Sequence, residues 1–463
     1  MSDELRALVG AEHVRTDDDA CAQASSSWSP LFFKEKQAAG GSVPDRVSAV
    51  VSPADADEVA AVVRWANAAP AVLVPVGGGS NTVGSNDAPR AAAGRARIAV
   101  DLTRLRTVRW DEESLRVHAG AGCRLSALEE QLNAHEYTLG HFPRSLEMAA
   151  VGGAVATDAV GIFSGRYGRQ RDLTVGLEAV LPTGAVVRTS AHGAGPNLHH
   201  LLIGSEGAFG IVTEATLRMS PQPEVRAWAA FTFPAFGEAT DALRLIYRSD
   251  ARPAAARLFD ADAAAEYLTG RTPAGAVPLL VLGFEGSEVV QTGQYQMAHA
   301  VCQKIGGKEQ PPEIGDAWFD ARYRADWMAA NGRPGGLADV FSVWCPWSAL
   351  KDVHAAMRRA AAPMATGLGA QAAHADPTGA ALDLFVTAQA EPNEPEAASA
   401  LYRRLDDAVV AAALEAGAET VAHHYGVGRT RRAGWKRERG PEHVAALRAL
   451  KSALDPNGVL PSL

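Results

Sequence analysis

The chain has 463 residues, with 44 Lys plus Arg against 53 Asp plus Glu, a formal net charge of −9. That acidic balance argues against nucleic acid as the main partner, because phosphate binding needs a basic footprint. The four cysteines, Cys21, Cys123, Cys302 and Cys345, are far apart and form no CxxC pair. This disfavours a zinc site or a disulfide scaffold and points to buried, reduced thiols.

In chain order, residues 1–39 read as helix-like and then irregular, with order starting at Val43-Pro44. The opening MSDELRALVGAEHV lacks a basic stretch leading into an apolar one, so no secretory leader is expected. Every apolar run is broken well short of the roughly 20 residues of a membrane span, so no integral membrane segment is expected either. A cytoplasmic location is the default expectation. Val47 to Val51 reads as a strand, and Ser52-Pro53 sets up a helix with Asp55 and Asp57 in its first turn. Ala71 to Val76 is an apolar strand entering a glycine loop. Val108 to Val117 alternates as a hairpin, Ser126 to Asn133 is helical, and 141–168 is rich in small residues without a clean period.

Leu173 to Leu181 and Val186-Val187 read as strands around a turn, Asn197 to Leu202 as a short helix, and Ile211 to Met219 as a strand. Pro221 and Pro223 then mark a change of texture. Beyond them the pattern predicts strands at Ala229–Phe233, Leu279–Phe284, Asp339–Trp344 and Ala381–Ala388. It predicts helices at Ala239–Arg248, Ser287–Lys304, Ala349–Ala361 and Pro395–Ala416. Ala254 to Ala256 looks like helix filler, and the basic run Arg429 to Arg437 like a solvated helix face with part of it free to reach a phosphate. The expected architecture is α+β: residues 40–222 as one domain, 223–420 as a cap with a sheet covered by helices, and 421–463 returning to the first domain.

Three segments carry candidate chemistry. Pro75-Val76-Gly77-Gly78-Gly79-Ser80-Asn81 is neither a Walker A loop nor GxGxxG, yet successive glycines let backbone N–H groups approach a phosphate. Taken alone, such a loop is more often a simple turn. Between Val151 and Gly161, small residues at Gly152, Gly153, Ala154, Ala156, Ala159 and Gly161 leave room for a flat ligand against bare backbone. Glu206 is hemmed in by small residues in GSEGAFGIVT.

PVGGGSN, PRSLEMAAVGGAVATDAVG with RYG, and GSEGAFGIVT, in this order and spacing, resemble the FAD-binding domain of the vanillyl-alcohol oxidase superfamily (the PCMH type). The resemblance implies FAD contacts at Pro75, Val76, Gly77, Gly78, Gly79, Ser80, Asn81, Pro143, Ser145, Val151, Gly152, Gly153, Ala156, Thr157, Gly161, Tyr167, Glu206, Ile211 and Val212. Some members tether the flavin through His or Cys; none lies in 75–86, so a non-covalent flavin is expected. Gly140-His141-x-Pro143-x-Ser145, Ala256-Arg257-Leu258-Phe259-Asp260 and His423-His424-Tyr425-Gly426 are similar to the alkyldihydroxyacetonephosphate synthase family.

The departures from that family matter too. Its pattern has Arg near Gln371 and Tyr where Asp376 and Asp383 stand, and its Glu-Thr reads here Ser342-Val343. Losing a guanidinium and gaining carboxylates weakens binding of a phosphate dianion. The residues left for chemistry are His424, His423, Asp383, Arg257, Tyr425 and His374; Asp376 before Pro377 reads as a turn residue, and His374 equally as a structural histidine. The expectation is an FAD-dependent oxidoreductase on a small polar substrate (alcohol, hydroxy acid or amine), with no metal and with a homodimer open. A redox-neutral alkyl transferase is the runner-up, and a flavin-binding scaffold without activity the third reading.

Overall fold

The computed structural model describes residues 1–43, 45–85, 94–267, 277–323, 326–392 and 394–462. Order begins at Ser2, well ahead of Val43; Pro44 lies outside the described residues. The helix Ser2–Val9 packs on the helix Ala56–Ala68, and Val14–Arg15 pairs with Ala49–Val51 at the edge of a four-stranded sheet. In that sheet Ala49–Val51, Ala96–Asp101 and Ala71–Val76 run parallel. The helix after Ala49–Val51 starts at Ala56, three residues beyond Pro53. Asp55 is its N-cap and accepts from the Glu58 N–H at 2.9 Å. A cap must accept from the first-turn donors, and Asp55 is the residue positioned to do so.

The hairpin Val108–Asp111 with Arg116–Gly120 joins Ile211–Arg218, Thr174–Val180 and Val186–Ser190 in a five-stranded antiparallel sheet. The segment read as aperiodic holds the helix Val151–Thr157 and the turn of helix Ser164–Tyr167. Glycine and alanine fill both faces of the first helix, so no apolar stripe marks it in sequence.

The remaining sheet has seven strands among the described residues. Their order is Lys308–Gln310, Val225–Thr232, Leu279–Gly286, Ala255–Phe259, Gly367–Ala375, Gly379–Gln389 and Gly336–Pro346, with antiparallel neighbours throughout. Two of these, Ala255–Phe259 and Gly367–Ala375, are strands where the sequence suggested helix filler or nothing. Alanine is a weak strand former, and here tertiary pairing overrides propensity. The helices Phe236–Tyr247, Glu288–Lys304, Leu350–Ala361 and Pro395–Glu415 cover one face through Leu243, Cys302, Met357 and Val409. Against them lie Leu258, Leu282, Ala372, Val343 and Leu384. Side chains alternate along a strand. Arg257, Gln371, Asp383 and Ser342, each next to one of those core residues, therefore face the other way, toward the first domain.

The C-terminus returns: the helix Arg432–Leu454 bends at Gly440, just before Pro441, and Leu73 N donates to Val459 O at 2.8 Å. All four cysteines are free and buried, and no described helix is long and apolar enough to cross a membrane.

Candidate active site

Between the two large sheets lies a cavity of about 640 Å³. The glycine loop, the small-residue segment and the GSEGAFG loop line one end; the polar face of the seven-stranded sheet lines the other. Pro75, Gly77, Gly78, Gly79, Ser80, Asn81, Pro143, Ser145, Gly152, Gly153, Ala156, Thr157, Gly161, Glu206, Ile211 and Val212 all reach it. Val76, Val151 and Tyr167, named with them, are not among its lining residues. All three side chains are buried, and Tyr167 packs its ring against Gly140.

A Cβ at Gly78 would stand 1.7 Å from Met148 O, so the loop can sit against the 145–150 segment only as glycine. A Cβ at Gly153 would meet nothing within 4 Å, because that position of the helix looks into the cavity. Asn81 Nδ2 is buried without a partner among the described residues, a donor aimed at whatever fills this end. Bare backbone, a spare amide donor and a cavity of this volume fit a dinucleotide.

Glu206 has a second duty. It accepts from Ser85 Oγ at 2.7 Å and from Gly428 N at 2.9 Å, tying the GSEGAFG loop to the segment that follows the histidines. Burial raises its pKa.

At the other end the strand register sets a row. Ser342 and Gln371 are the cross-strand partners of Asp383 on either side. Gln371 Nε2 donates to Asp383 Oδ2 at 3.1 Å. His424 sits over the row, 2.9 Å from Ser342 Oγ and 2.9 Å from His423 Nδ1, both through its own Nδ1. Asp383 Oδ1 lies 3.9 Å from the same nitrogen. The loop bearing His424 is fixed by main-chain bonds: Trp344 N to Thr420 O at 2.9 Å, and Glu419 N to Trp344 O at 2.8 Å. Ser342 and His423 thus occupy Nδ1, which leaves Nε2 as the ring nitrogen without a protein hydrogen-bond partner among the described residues. Burial pushes the His424 pKa down to about 4, with Asp383 opposing, so the ring is neutral near pH 7.

Arg257 donates through Nη1 to Ala256 O and Ala373 O and stacks over Trp318 at 5.5 Å; burial pulls its pKa down to about 10. Tyr425 follows His424 and lines the cavity with it.

Two named residues stand back. His423 stacks on Trp344 at 5.1 Å and His374 on His423 at 5.6 Å, and neither lines the cavity. They form the wall behind His424. Asp376 is also outside: its Oδ1 accepts from Thr378 and Gly379 backbone N–H groups, so it is a turn residue, and the pocket gains one of the two carboxylates.

The sequence reading missed Arg322, Tyr323, Trp327 and Met328 from the cap, and Trp28, Pro30 and Phe33 from the N-terminal segment, all of which line the cavity. The dense aromatic and arginine content of 317–328 was a visible sign; the N-terminal contribution had none.

The family description "FAD binding domain" matches residues 47–190, and "FAD linked oxidases, C-terminal domain" matches 222–462, more than half of the chain. The chain belongs to the FAD-linked oxidases. FAD is therefore its cofactor. The chain is similar to alkyldihydroxyacetonephosphate synthase of Caenorhabditis elegans, 26% identical over 471 residues, covering 91% of this chain and 76% of the relative. It is also similar to mitochondrial D-lactate dehydrogenase [cytochrome] of Arabidopsis thaliana, 28% identical over 433 residues, covering 90% and 72%. A solved structure of alkyldihydroxyacetonephosphate synthase superposes with a TM-score of 0.80 at 23% identity, covering 99% of this chain and 84% of that one, which shows the shared fold.

Proposed function

We propose that this FAD-linked oxidase family member oxidises a small polar substrate at a carbon bearing a hydroxyl or amino group. The observation that carries the reading is His424: a buried imidazole lining the cavity, neutral near pH 7, with Nδ1 committed to Ser342 and His423. Bound FAD supplies the two-electron acceptor such a reaction needs.

The chain's own groups do the rest. Nε2 of His424 accepts the hydroxyl or amino proton. Asp383, 3.9 Å from Nδ1, steadies the imidazolium that results. Arg257 offers a guanidinium to an anionic substrate group. Trp318, Tyr323 and Trp327 line the cavity and displace water from it. Pro75, Gly77 to Asn81, Gly152, Gly153 and Thr157 would hold the cofactor. The similarity to a D-lactate dehydrogenase supports oxidation as the reaction type.

A second reading is a redox-neutral alkyl exchange of the synthase type, favoured by the likeness to alkyldihydroxyacetonephosphate synthase. Gln371 and Asp383 weigh against its phosphate-ester substrate, since the cavity carries a carboxylate and an amide where that family has a tyrosine and an arginine. Anaerobic mixing with a panel of alcohols, 2-hydroxy acids, amines and amino acids separates the two. Oxidation bleaches the flavin absorbance with at least one of them. A flavin that stays oxidised throughout, while acyl-dihydroxyacetone phosphate is consumed, overturns the proposal in favour of the exchange.

A further inference from the structure

Gln371 and Asp383 are 3% and 2% exposed and line the cavity. Because a carboxylate only accepts, the Gln371 amide must present its N–H to Asp383 Oδ2, and its own oxygen must point away. That oxygen, Oε1, has no partner among the described residues, and neither has Asp383 Oδ1. The 3.9 Å from Asp383 Oδ1 to His424 Nδ1 is too long for a hydrogen bond. Two buried acceptors on paired strands thus await donors.

The same cavity also carries unspent donors. Among the described residues Arg257 bonds the protein through Nη1 only; Arg322 donates through Nη1 to Phe319 O, and its Nε has no partner there. The two guanidinium groups stack on neighbouring residues, Arg257 over Trp318 and Arg322 over Phe319 at 3.7 Å.

Resting on the oxidation reading, we propose that the substrate is an α-amino acid: its carboxylate meets the guanidinium groups of Arg257 and Arg322, and its amino group donates to Gln371 Oε1 and Asp383 Oδ1. A 2-hydroxy acid has one hydrogen to give at that carbon and leaves one acceptor bare. A phosphate monoester can meet the guanidinium groups but has no hydrogen to offer the two bare oxygens. An amino group satisfies both oxygens at once, and a zwitterion meets both signs of charge in the pocket.

The test uses the flavin-loaded protein without oxygen. Leucine and phenylalanine, both enantiomers of each, are titrated calorimetrically against 2-hydroxy-4-methylpentanoate and 3-phenyllactate, and flavin absorbance is followed in parallel. One enantiomer of the amino acids binds on the order of 10-fold tighter than its hydroxy counterpart, the factor expected for one buried acceptor left unpaired. Gln371→Met removes one acceptor and narrows the preference. Asp383→Asn does so too: Gln371 holds the new amide's oxygen, and its NH₂ takes the position of Oδ1. Flavin content and melting temperature report whether each variant is folded. A 2-hydroxy acid that binds as tightly or more tightly, and bleaches the flavin, overturns the inference and leaves the oxidation reading intact. If neither class binds and neither bleaches the flavin, this inference fails; the oxidation reading fails with it only when the alcohols and amines of the wider panel also leave the flavin oxidised.

Discussion

A buried carboxylate beside a buried histidine is expensive unless each has work for the other. Asp383 and His424 share one wall of the cavity with no other charged partner within ion-pair reach of Asp383 among the described residues. His424→Gln keeps the approximate side-chain volume and a hydrogen-bonding group but removes the imidazole proposed as the base. Flavin content stays at the parent level, because His424 belongs to no flavin-binding segment, and turnover falls about 10²-fold or more, the scale of a general base. Turnover within a few-fold of the parent would leave His424 structural. The pH profile follows from burial. The histidine is neutral, and able to take a proton, above its pKa of about 4. As pH falls through about 4 it becomes protonated, and kcat/KM drops with it. Asp383 raises that pKa, so Asp383→Asn shifts the acid limb to still lower pH while turnover declines. An acid limb that stays in place in Asp383→Asn shows that the limb belongs to another group.

At the scale of elements, the helix Val151–Thr157 and the glycine loop differ: a Cβ at Gly78 would strike protein, whereas one at Gly153 would enter the open cavity. Gly153→Leu therefore folds normally by circular dichroism and thermal melting but loses its flavin, because the side chain enters the cavity and nothing else. Normal flavin content in that variant would make the segment a packing contact. In the parent protein, acid or heat releases the flavin from the precipitated chain; flavin remaining covalently with the polypeptide would overturn the non-covalent reading. These elements differ in how far the sequence disclosed them. Strands that carry runs of Val, Leu and Phe, such as Leu279–Gly286 and Gly379–Gln389, were legible within a few residues, as were the amphipathic helices. Ala255–Phe259 and Gly367–Ala375 were not, because alanine-rich stretches owe their strand state to their neighbours. The FAD-binding domain was legible as ordered motifs. The row of Ser342, Asp383 and Gln371 was legible only residue by residue, since register is a property of three strands together.

At the scale of the whole molecule, the tail welds the domains. The run Arg429 to Arg437 looked solvated because its partners lie far along the chain. Arg431 is 4% exposed and donates through Nη2 to Asp339 Oδ2 at 2.6 Å, in the cap strand, and through Nη1 to Asp406 on the helix Pro395–Glu415. Tyr402 completes the cluster, donating to Asp339 Oδ2 at 2.7 Å. Arg429 pairs with Glu35 at 2.8 Å, drawing in the N-terminal helix Pro30–Ala38. Gly428, three residues before Arg431, holds Glu206 of the first domain at 2.9 Å. One short segment thereby joins three parts of the chain around the cavity. Removing Arg431 leaves two carboxylates buried and facing one another, so Arg431→Met costs about 3–5 kcal/mol of stability in urea unfolding. Arg431→Lys recovers only part of the loss, because a point charge cannot fork to two carboxylates as a guanidinium does. If Arg431→Met is then combined with Asp339→Asn and Asp406→Leu, removing both uncompensated charges, much of the stability returns. A loss below about 1 kcal/mol in Arg431→Met, the scale of an exposed ion pair, would show that the arginine is solvated after all.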